Sequence, residues 1–416
     1  MKRYFESRPA LSWALYDWAN SAFATTVMAG FFPVFFSSYW SAGTDATVTT
    51  LRLGLANGIA GLVVALLAPV LGAIADRGGR RIRFLAAWSV LGIAATAALY
   101  FVGQGEWGWA AALFVIGTMG FNGGVVFSDA LLLDVAEPKD YDRVSALGYG
   151  LGYLGGGLLF ALNVAMVVKP ALFGLANAAE AVRLSFLTVA AWWLVFMLPL
   201  VLWVQERKGS VVGLGAAVRA GLAEIRATVS NARQLKPVFT FLVAYWLYID
   251  AVNTIIKMAV DYGTALGLDS SALMTALLLT QFVAFPASIL FIRVSDRIGV
   301  RAGILLGLAV YTGVTVYAYF LETAFEFYLM AVAIGLVQGA VQSLSRSLFG
   351  RMVPPGKSAE FFGLYNMVGK FGTVLGPVLV GVVAWASGSS RASILSLALL
   401  FIAGALLLLR VREPVR

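Results

Sequence analysis

The chain has 416 residues, of which 60% are hydrophobic and only 12% are charged. A soluble domain of ordinary composition carries about 25% charged residues. The chain has no Cys, which excludes disulfides and thiol chemistry, and no His, which excludes imidazole metal ligands and imidazole proton relays. No paired-carboxylate hydrolase site, metal cluster or nucleophile motif is recognisable. We therefore predict neither an enzyme nor a bound cofactor or metal.

Apolar stretches of about 20 residues recur along the chain, and each is long enough to cross a hydrocarbon core about 30 Å thick. Because lipid offers no hydrogen-bond partners to open backbone groups, we expect each stretch to be a helix. The twelve predicted spans are 10–40, 51–75, 82–103, 109–135, 144–168, 183–204, 237–262, 271–293, 302–321, 326–350, 358–386 and 391–411.

The distribution of Lys and Arg predicts that both termini are cytoplasmic. With the termini placed inside, the inner side holds 23 basic residues and the outer side holds four, while three more lie within spans. Short cytoplasmic loops carry such an excess of basic residues. The net charge of +9 follows from this bias and from the anionic lipid at the inner face, so it does not require a nucleic-acid partner.

The longest polar stretch divides the chain into two similar parts. Residues 1–204 are predicted to form an N-terminal six-helix bundle, 237–416 a C-terminal six-helix bundle, and 205–236 a cytoplasmic linker. Within the linker, apolar residues recur at helical spacing and three arginines fall seven apart, which predicts an amphipathic helix on the inner leaflet. These residues are Val211, Leu214, Val218, Leu222, Ile225 and Val229, with Arg219, Arg226 and Arg233.

Several motifs occur twice, in the same order. The charged loop Gly72-Ala-Ile-Ala-Asp-Arg-Gly-Gly-Arg-Arg81 returns in reduced form after the eighth span, where Ile292 stands in place of the leading Gly. A carboxylate three residues before an Asn occurs in spans one and seven, and paired glycines occur in spans five and eleven. This order indicates a parallel repeat about an axis along the membrane normal. The repeated residues are Asp17, Asn20, Asp250 and Asn253, and Gly152, Gly155, Gly369 and Gly372.

The fifth span contains a cluster of glycines. It lies inside a membrane span and no strand precedes it, so it does not fit a phosphate-binding loop. Small residues at spacings of three and four favour close contact between helices. We therefore predict close packing at Gly148, Gly152, Gly155, Gly156 and Gly157.

The first charged loop resembles the loop two–three signature of the major facilitator superfamily. Longer stretches resemble the vacuolar amino-acid effluxer family linked to autophagy and its bacterial relatives. These stretches are Trp13-Ala-Leu-Tyr-Asp-Trp-Ala-Asn-Ser21, the run from Arg143 to Gly157, Gln342-Ser-Leu-Ser-Arg-Ser347 with Pro354-Pro-Gly, and Glu360-Phe-Phe-Gly-Leu-Tyr-Asn366. The resemblance implies an all-α polytopic membrane protein with twelve helices in two bundles, solute export by alternating access, and a central cavity lined by spans one, four, seven and ten.

Each of these four spans carries an ionisable residue. A charge on a lipid-facing surface costs about 2.5–3.5 kcal/mol at the centre of a helix. We therefore expect these side chains, together with one from span eleven, to face a single water-accessible cavity. They are Asp17 in span one, Asp129 in four, Asp250 and Lys257 in seven, Arg346 in ten and Lys370 in eleven.

Two pairs, Asp17 with Asn20 and Asp250 with Asn253, each place a carboxylate and a carboxamide on one helix face. Each pair can bind an ammonium group or take up a proton, and a structural contact between spans is the alternative reading.

The two lysines within spans also have candidate roles. Lys257 can meet a substrate carboxylate or reach the outer interface. Lys370 lies at nearly the depth of Asp250, so the two can form an ion pair or hold a zwitterion between them.

Asp129 and Arg346 lie near the inner ends of spans in opposite halves, so we predict that they pair when the inner gate is shut. The alternative is that Arg346 extends to lipid phosphate. Aromatic rings beside carboxylates suit a cationic group, and polar residues of the family-like motifs are further candidates. The candidates for lining the cavity are Tyr149, Tyr153, Gln342, Tyr365 and Asn366.

The two charged loops are predicted to act as gates. In the first loop, Asp76 can meet the N-terminus of a facing helix, and its glycines permit close approach. Anchoring by the positive-inside bias accounts for Arg80, Arg81 and Arg83 but not for Asp76. The predicted gating residues are Gly72, Asp76, Arg77, Gly79 and Arg80, with Asp296, Arg297 and Gly299 in the second, weaker copy.

The sequence and the resemblance thus favour a monomeric secondary transporter in the plasma membrane of a bacterium, surrounded by membrane lipid. It is expected to export an amino acid or similar zwitterion, and the proton is a candidate coupling ion. A lysolipid, a sugar or a drug-like molecule is the alternative substrate. A non-transporting membrane receptor is the alternative function, although a static receptor does not need two gates.

Overall fold

The computed structural model describes residues 7–206, 213–230, 235–371 and 375–411, and these ranges are helical without any strand. Eleven helical segments in them are long and apolar enough to cross a membrane. The protein is therefore an all-α polytopic membrane protein, as the sequence predicts.

The first six helices follow the predicted spans closely. Their bounds are α1 Arg8–Trp40, α2 Ala46–Gly78, α3 Arg81–Ala98, α4 Trp107–Val135, α5 Tyr141–Val168 and α6 Ala178–Trp203. Within α1 the backbone changes from ordinary α-helical turns over Arg8–Ala22 to wider π-helical turns over Phe23–Phe31, and wide turns return over Phe36–Trp40. Wide turns of this kind are frequent at functional sites.

The remaining helices begin with the linker helix. They are α7 Leu214–Ser230, α8 Lys236–Ala265, α9 Ser270–Ile298, α10 Val300–Tyr319, α11 Ala324–Met352, α12 Ser358–Phe371, α13 Leu375–Ser387, α14 Ser390–Leu395 and α15 Leu397–Leu408. The predicted span 358–386 corresponds to α12 and α13, and residues 372–374 between them lie outside the described ranges. The predicted span 391–411 corresponds to α14 and α15 together.

The predicted linker helix is present as α7, and it packs against α2. Leu222 on this helix is 50% exposed. Val211 and Arg233, which belong to the predicted amphipathic pattern, lie outside the described residues. The placement of α7 on the inner leaflet and the division of the chain at 205–236 remain predictions.

The glycines of α5 allow α1 to pack directly against its backbone. A Cβ added to Gly152 would lie 2.7 Å from the Ser21 hydroxyl, and one added to Gly155 would lie 2.6 Å from the Trp18 ring. Real Cβ atoms do not come that close to other groups, so only glycine fits at these positions. The close packing predicted for this cluster is confirmed on the face that meets α1.

The start of α1 at Arg8 and the last described residue, Val411, lie at one face of the molecule, here called the terminal face. The guanidinium of Arg8, at the start of α1, lies 4.2 Å from the ring centroid of Trp203 at the end of α6. Arg301, at the start of α10, donates to the Val411 carbonyl oxygen over 2.8 Å. The helices of the first half, α1 to α6, meet those of the second half, α8 to α15, through α2 with α12, α4 with α12, and α5 with α9 and α11.

Candidate functional site

The centre of the site is the guanidinium of Arg346 on α11. Its Nε donates to the Ser145 hydroxyl over 2.9 Å, and its Nη1 donates to Asp129 Oδ1 over 3.0 Å. Both Nη atoms lie 3.2 Å from Asp17 Oδ2, and Nη2 also donates to the Ser145 carbonyl oxygen over 2.9 Å. An arginine has five N–H donors, and each finds an acceptor here. The side chain is only 2% exposed, so this cation is fully enclosed by its partners.

Two aromatic rings cover the guanidinium. Its central carbon lies 4.7 Å from the ring centroid of Trp13 and 4.2 Å from that of Tyr149. A guanidinium over an aromatic face within about 6 Å is attracted by the ring quadrupole. The Trp13 indole is itself held in place, because its Nε1 donates to the Ser128 carbonyl oxygen over 2.7 Å.

The two carboxylates around Arg346 differ in their surroundings. Asp129 is 4% exposed and also accepts a hydrogen bond of 2.9 Å from the Asn366 amide on α12. Asp17 is 13% exposed, and its described hydrogen bonds come from Arg346 alone. Asp17 is therefore the carboxylate that a proton or a ligand can reach more easily.

Arg346 joins the two halves of the chain. It lies six residues before the end of α11, about 9 Å from the terminal face, since a helix rises 1.5 Å per residue. All of its described acceptors lie on α1, α4 and α5. The predicted pair with Asp129 is present, and the alternative in which Arg346 extends to lipid phosphate is wrong, because the side chain is buried.

A second ion pair between the halves lies nearer the terminal face. Arg351 on α11 donates to both carboxylate oxygens of Asp142 on α5, over 2.8 Å and 2.6 Å. The Ser347 hydroxyl donates to the same carboxylate over 2.6 Å. Both charged side chains are about as buried as Arg346, at 4% and 5% exposure. The sequence analysis missed this pair.

The first charged loop holds the start of α12. Asp76 accepts from the backbone N–H of Ala359 over 3.0 Å and of Glu360 over 2.9 Å, which are in the first turn of that helix. A Cβ on Gly72 would overlap the Ala359 carbonyl group. The predicted contact between this carboxylate and a facing helix N-terminus is therefore present, and α2 and α12 approach each other through backbone atoms.

Arg81 belongs to the same contact, so its interpretation as a simple membrane anchor is wrong. Its Nε donates to Asp76 over 2.7 Å, its Nη1 bonds to Asp134, and its side chain is 4% exposed. The reason is the turn before it, where Gly79 adopts a φ of 58° that favours glycine, because this turn from α2 into α3 places Arg81 next to Asp76. Asp134 was not predicted as part of the site.

The second charged loop makes a more exposed contact. Asp296 pairs with Arg143 of α5 over 3.1 Å, and the two side chains are 37% and 39% exposed. Gly299 adopts a φ of 91° between α9 and α10. The neighbouring Arg297 is exposed.

Comparison with known proteins gives this arrangement its context. A family described as Vacuole effluxer Atg22 like matches residues 42–414. The chain belongs to this family. An uncharacterized MFS-type transporter of Bacillus subtilis, YxiO, is 37% identical over 99% of this chain and 96% of its own length. Autophagy-related protein 22-1 of Penicillium rubens is 29% identical over 62% of this chain, and the chain spans about half of that fungal protein, 47% of its length.

Solved structures show the fold of this Atg22-like protein. The human organic anion transporter MFSD10 superimposes with a TM-score of 0.70 at 16% identity, over 96% of this chain and 99% of its own. The proton:xylose symporter XylE superimposes with a TM-score of 0.73 at 13% identity, over 99% and 97% of the two chains. The protein is therefore a multi-pass MFS-type transporter, and its two-bundle fold of twelve helices is the major facilitator fold.

Two of the predicted cavity residues lie next to the ionic centre of the transporter. Tyr149 packs on the guanidinium, and Asn366 bonds to Asp129. The Tyr153 hydroxyl bonds to Gln342 across the two halves, deeper from the terminal face. Tyr365 is 2% exposed and stacks on Tyr245 at a centroid distance of 4.1 Å.

Asp250 does not join the group around Arg346. It is fully buried about 21 Å along α8, where its Oδ2 accepts from the backbone N–H of Gly376 at the start of α13 over 2.6 Å. Asn253 is partly exposed, and the side chains of Lys257 and Lys370 lie outside the described residues. Of the charged side chains expected to converge, the described structure brings together Asp17, Asp129 and Arg346, in a buried ion cluster. The water-accessible cavity that they were expected to line remains a prediction.

Asn20 also stays apart from the guanidinium. It is 3% exposed, and it makes none of the described hydrogen bonds to Arg346. The residue that completes the site instead is Ser145, which the sequence analysis did not single out. Its position one helical turn before Tyr149 was the available signal.

A wholly apolar groove lies elsewhere, between α8 and α12. It is lined by Phe239, Leu242, Val243, Trp246, Leu364, Met367 and Val368.

Proposed function

We propose that this transporter exports a small polar solute, an amino acid or similar zwitterion, across the plasma membrane of a bacterium by alternating access. The termini and the two charged loops are cytoplasmic in this proposal. The observation that supports it best is the joining of the two halves through Arg346, which is held by carboxylates of α1 and α4. A contact that must break when the terminal face opens is well placed to respond to a substrate.

The charges of the site suggest how the response arises. One guanidinium lies between two carboxylates, so the group carries one negative charge in excess when both acids are ionised. A proton on Asp17, or the ammonium group of a substrate beside it, removes an acceptor from Arg346. The contact between the halves then weakens, which couples occupancy of the site to opening of the terminal face.

Proton coupling follows from the same geometry. Asp17 is the more exposed of the two carboxylates and the one with fewer described partners. It is therefore the proposed site of protonation, and Asp129 is the proposed positioning residue. Export is proposed because the matched family is described as a vacuole effluxer.

The decisive experiment is flux in proteoliposomes that contain the purified transporter. A panel of labelled amino acids, sugars, lysolipids and drug-like cations is tested with and without a pH step across the membrane. We expect saturable flux of at least one amino acid, accelerated by the pH step. Flux of only a lysolipid, sugar or drug would replace the substrate proposal, and no flux of any solute would favour a receptor.

A matched pair of variants tests the role of Asp17. In Asp17→Asn the carboxylate cannot be ionised, so flux should become insensitive to the pH step. Glu137→Gln changes an acid that is 67% exposed in the loop between α4 and α5, and it should keep the response of the parent protein. Equal pH responses in both variants would place the coupling group elsewhere.

A further inference from the structure

We infer that the first half of the transporter carries a cation-binding site of its own, which Arg346 fills only while the terminal face is closed. The site, called the cation box, consists of Trp13, Asp17, Asp129, Ser145 and Tyr149. Its ligand is a small organic cation with a guanidinium or primary ammonium group. This inference rests on the alternating access proposed above, and it specifies the chemical class of the substrate.

The first argument is the origin of the contacts. The guanidinium donates to Asp17, Asp129 and Ser145, which lie on α1, α4 and α5. The two rings that cover it lie on α1 and α5. Among the described contacts of the guanidinium, none comes from α8 to α15. The second half therefore supplies the cation, and the first half supplies what binds it.

The second argument is the shape of the box. A Cβ on Gly148 would lie 2.9 Å from the Trp13 ring and 3.1 Å from Arg346 Nη2, and it would overlap the Asp17 carboxylate. Glycine thus leaves room for a planar cation between carboxylate, ring and backbone. The ring of Trp13 is fixed by Ser128 of the same half, so this wall does not depend on Arg346.

The third argument is charge. When the terminal face opens, Arg346 moves away with α11 and leaves two neighbouring carboxylates without their cation. Buried charges that lose their partner are strongly destabilising, so protons or another cation must take its place. Aromatic faces favour an organic cation, whereas hard metal ions prefer a shell of oxygen atoms alone. The box therefore fits a guanidinium or ammonium ligand.

Chemical rescue tests the inference directly. In the full-length variant Arg346→Ala the box is empty, and the thermal unfolding temperature in detergent should fall. Millimolar ethylguanidinium should raise it again in a saturable manner, because the probe replaces the missing guanidinium. Ethylurea has the same shape without the charge and should have no effect. No saturable rescue, or equal rescue by ethylurea, would overturn the inference.

A second variant assigns the rescue to the box. Hydrogen bonds to charged groups contribute about 1.5–3 kcal/mol, so Arg346→Ala combined with Asp17→Asn should bind ethylguanidinium roughly ten- to a hundredfold more weakly. Combination with Glu137→Gln should leave the rescue unchanged, since that acid is 67% exposed. Equal affinity in both double variants would place the probe outside the box.

A distance measurement in a protein that keeps Arg346 tests the inference even if Arg346→Ala does not fold. The chain has no Cys, so the substitutions Arg83→Cys and Arg410→Cys introduce the only two thiols. Both positions are exposed at the terminal face, and a spin label on each thiol reports the distance between the two halves. Ethylguanidinium should compete with Arg346 and increase the population of long distances, and ethylurea should not. An unchanged distance distribution would overturn the inference.

These results separate the two proposals. Rescue by ethylguanidinium without flux of any solute would keep the cation box and remove the transport proposal. Flux of neutral zwitterions without rescue would keep transport and remove the box.

Discussion

The two charged loops occupy corresponding positions in the two halves, yet they contact the opposite half in different ways. In the first loop, Asp76 and Arg81 are 3% and 4% exposed, and the carboxylate also accepts from two backbone N–H groups of α12. In the second loop, Asp296 is 37% exposed and pairs with Arg143 of α5, which is 39% exposed and also lies 3.8 Å from Asp140. The two copies of the motif therefore differ in burial and in backbone contacts, and under the proposed gating role the first loop should hold the closed state more strongly.

The second copy also lacks the leading glycine of the first. Gly72 lets α2 approach the backbone of α12, whereas Ile292 holds the corresponding place in α9. Ile292 is buried, and Asp296 four residues later is 37% exposed. The weaker second gate expected from the sequence is consistent with this geometry.

The largest effect is expected for Asp76→Asn. Removal of one charge from a buried ion pair is destabilising by about 3–5 kcal/mol, and Arg81 then loses one of its two acids. Spin labels at positions 83 and 410 should report a shift to long distances. Asp296→Asn is the matched control and should shift the distances little. Equal shifts in both variants would remove the distinction between the loops.

The next largest effect is expected for Gly72→Ala. The added methyl group overlaps the Ala359 carbonyl, and overpacking of this kind costs about 1–3 kcal/mol. The variant should favour the open terminal face and unfold at a lower temperature. Gly54→Ala on the same helix is the control, because a Cβ there meets nothing within 4 Å. If both variants behaved alike, close approach of α2 and α12 would not be what holds the first loop.

A smaller effect is expected for Arg143→Ala, which removes the ion pair between α5 and Asp296 of the second loop. Exposed ion pairs contribute about 0.2–1 kcal/mol and are screened by salt. The variant should change the distance distribution only at low ionic strength. A shift that persists in high salt would show that the second loop holds the terminal face as firmly as the first.

The smallest effect concerns Glu206, which follows α6 and accepts from the Ile82 N–H beside the first loop over 3.2 Å. Burial raises the pKa of this carboxyl above its ordinary value of 4.5, partly offset by the hydrogen bond from Ile82. Ionisation is therefore less favourable in the folded protein, and the folded state loses stability as the pH rises from 4.5 through the raised pKa.

Glu206→Gln tests this effect, because the amide keeps an acceptor for Ile82 without the charge. The unfolding temperature of the variant should equal that of the parent near pH 4.5 and exceed it slightly at neutral pH. A difference of the opposite sign, or one that does not depend on pH, would contradict the assigned cause.

Hydropathy and motif spacing predicted the helices and several contacts, because these depend on local pattern. Long apolar runs gave the spans, Asp76 was expected at a helix N-terminus, and Arg346 was expected beside Asp129. The hydrogen bonds between Asp17 and the Arg346 guanidinium were not predicted, since they depend on how α1 is rotated against α4 and α11. No local signal encodes that rotation.

The other missed contacts have the same origin. The residues of these pairs, Arg81 with Asp134 and Arg351 with Asp142, are 53 and 209 positions apart, and their pairing depends on helix register and depth. The positive-inside rule also led to the wrong interpretation of Arg81, because it treats every basic residue at a loop as a membrane anchor. A buried arginine in such a loop can only be recognised once its neighbours in space are known.

The wide turns over Phe23–Phe31 affect how α1 tolerates changes in length. An α-helix advances about 100° per residue, so removal of one residue from an ordinary turn would swing Asp17 away from its partners. A π-helical stretch holds a surplus residue, and a deletion within it can restore regular winding instead. The aromatic middle of α1 is therefore the place where shortening by one residue should be tolerated best.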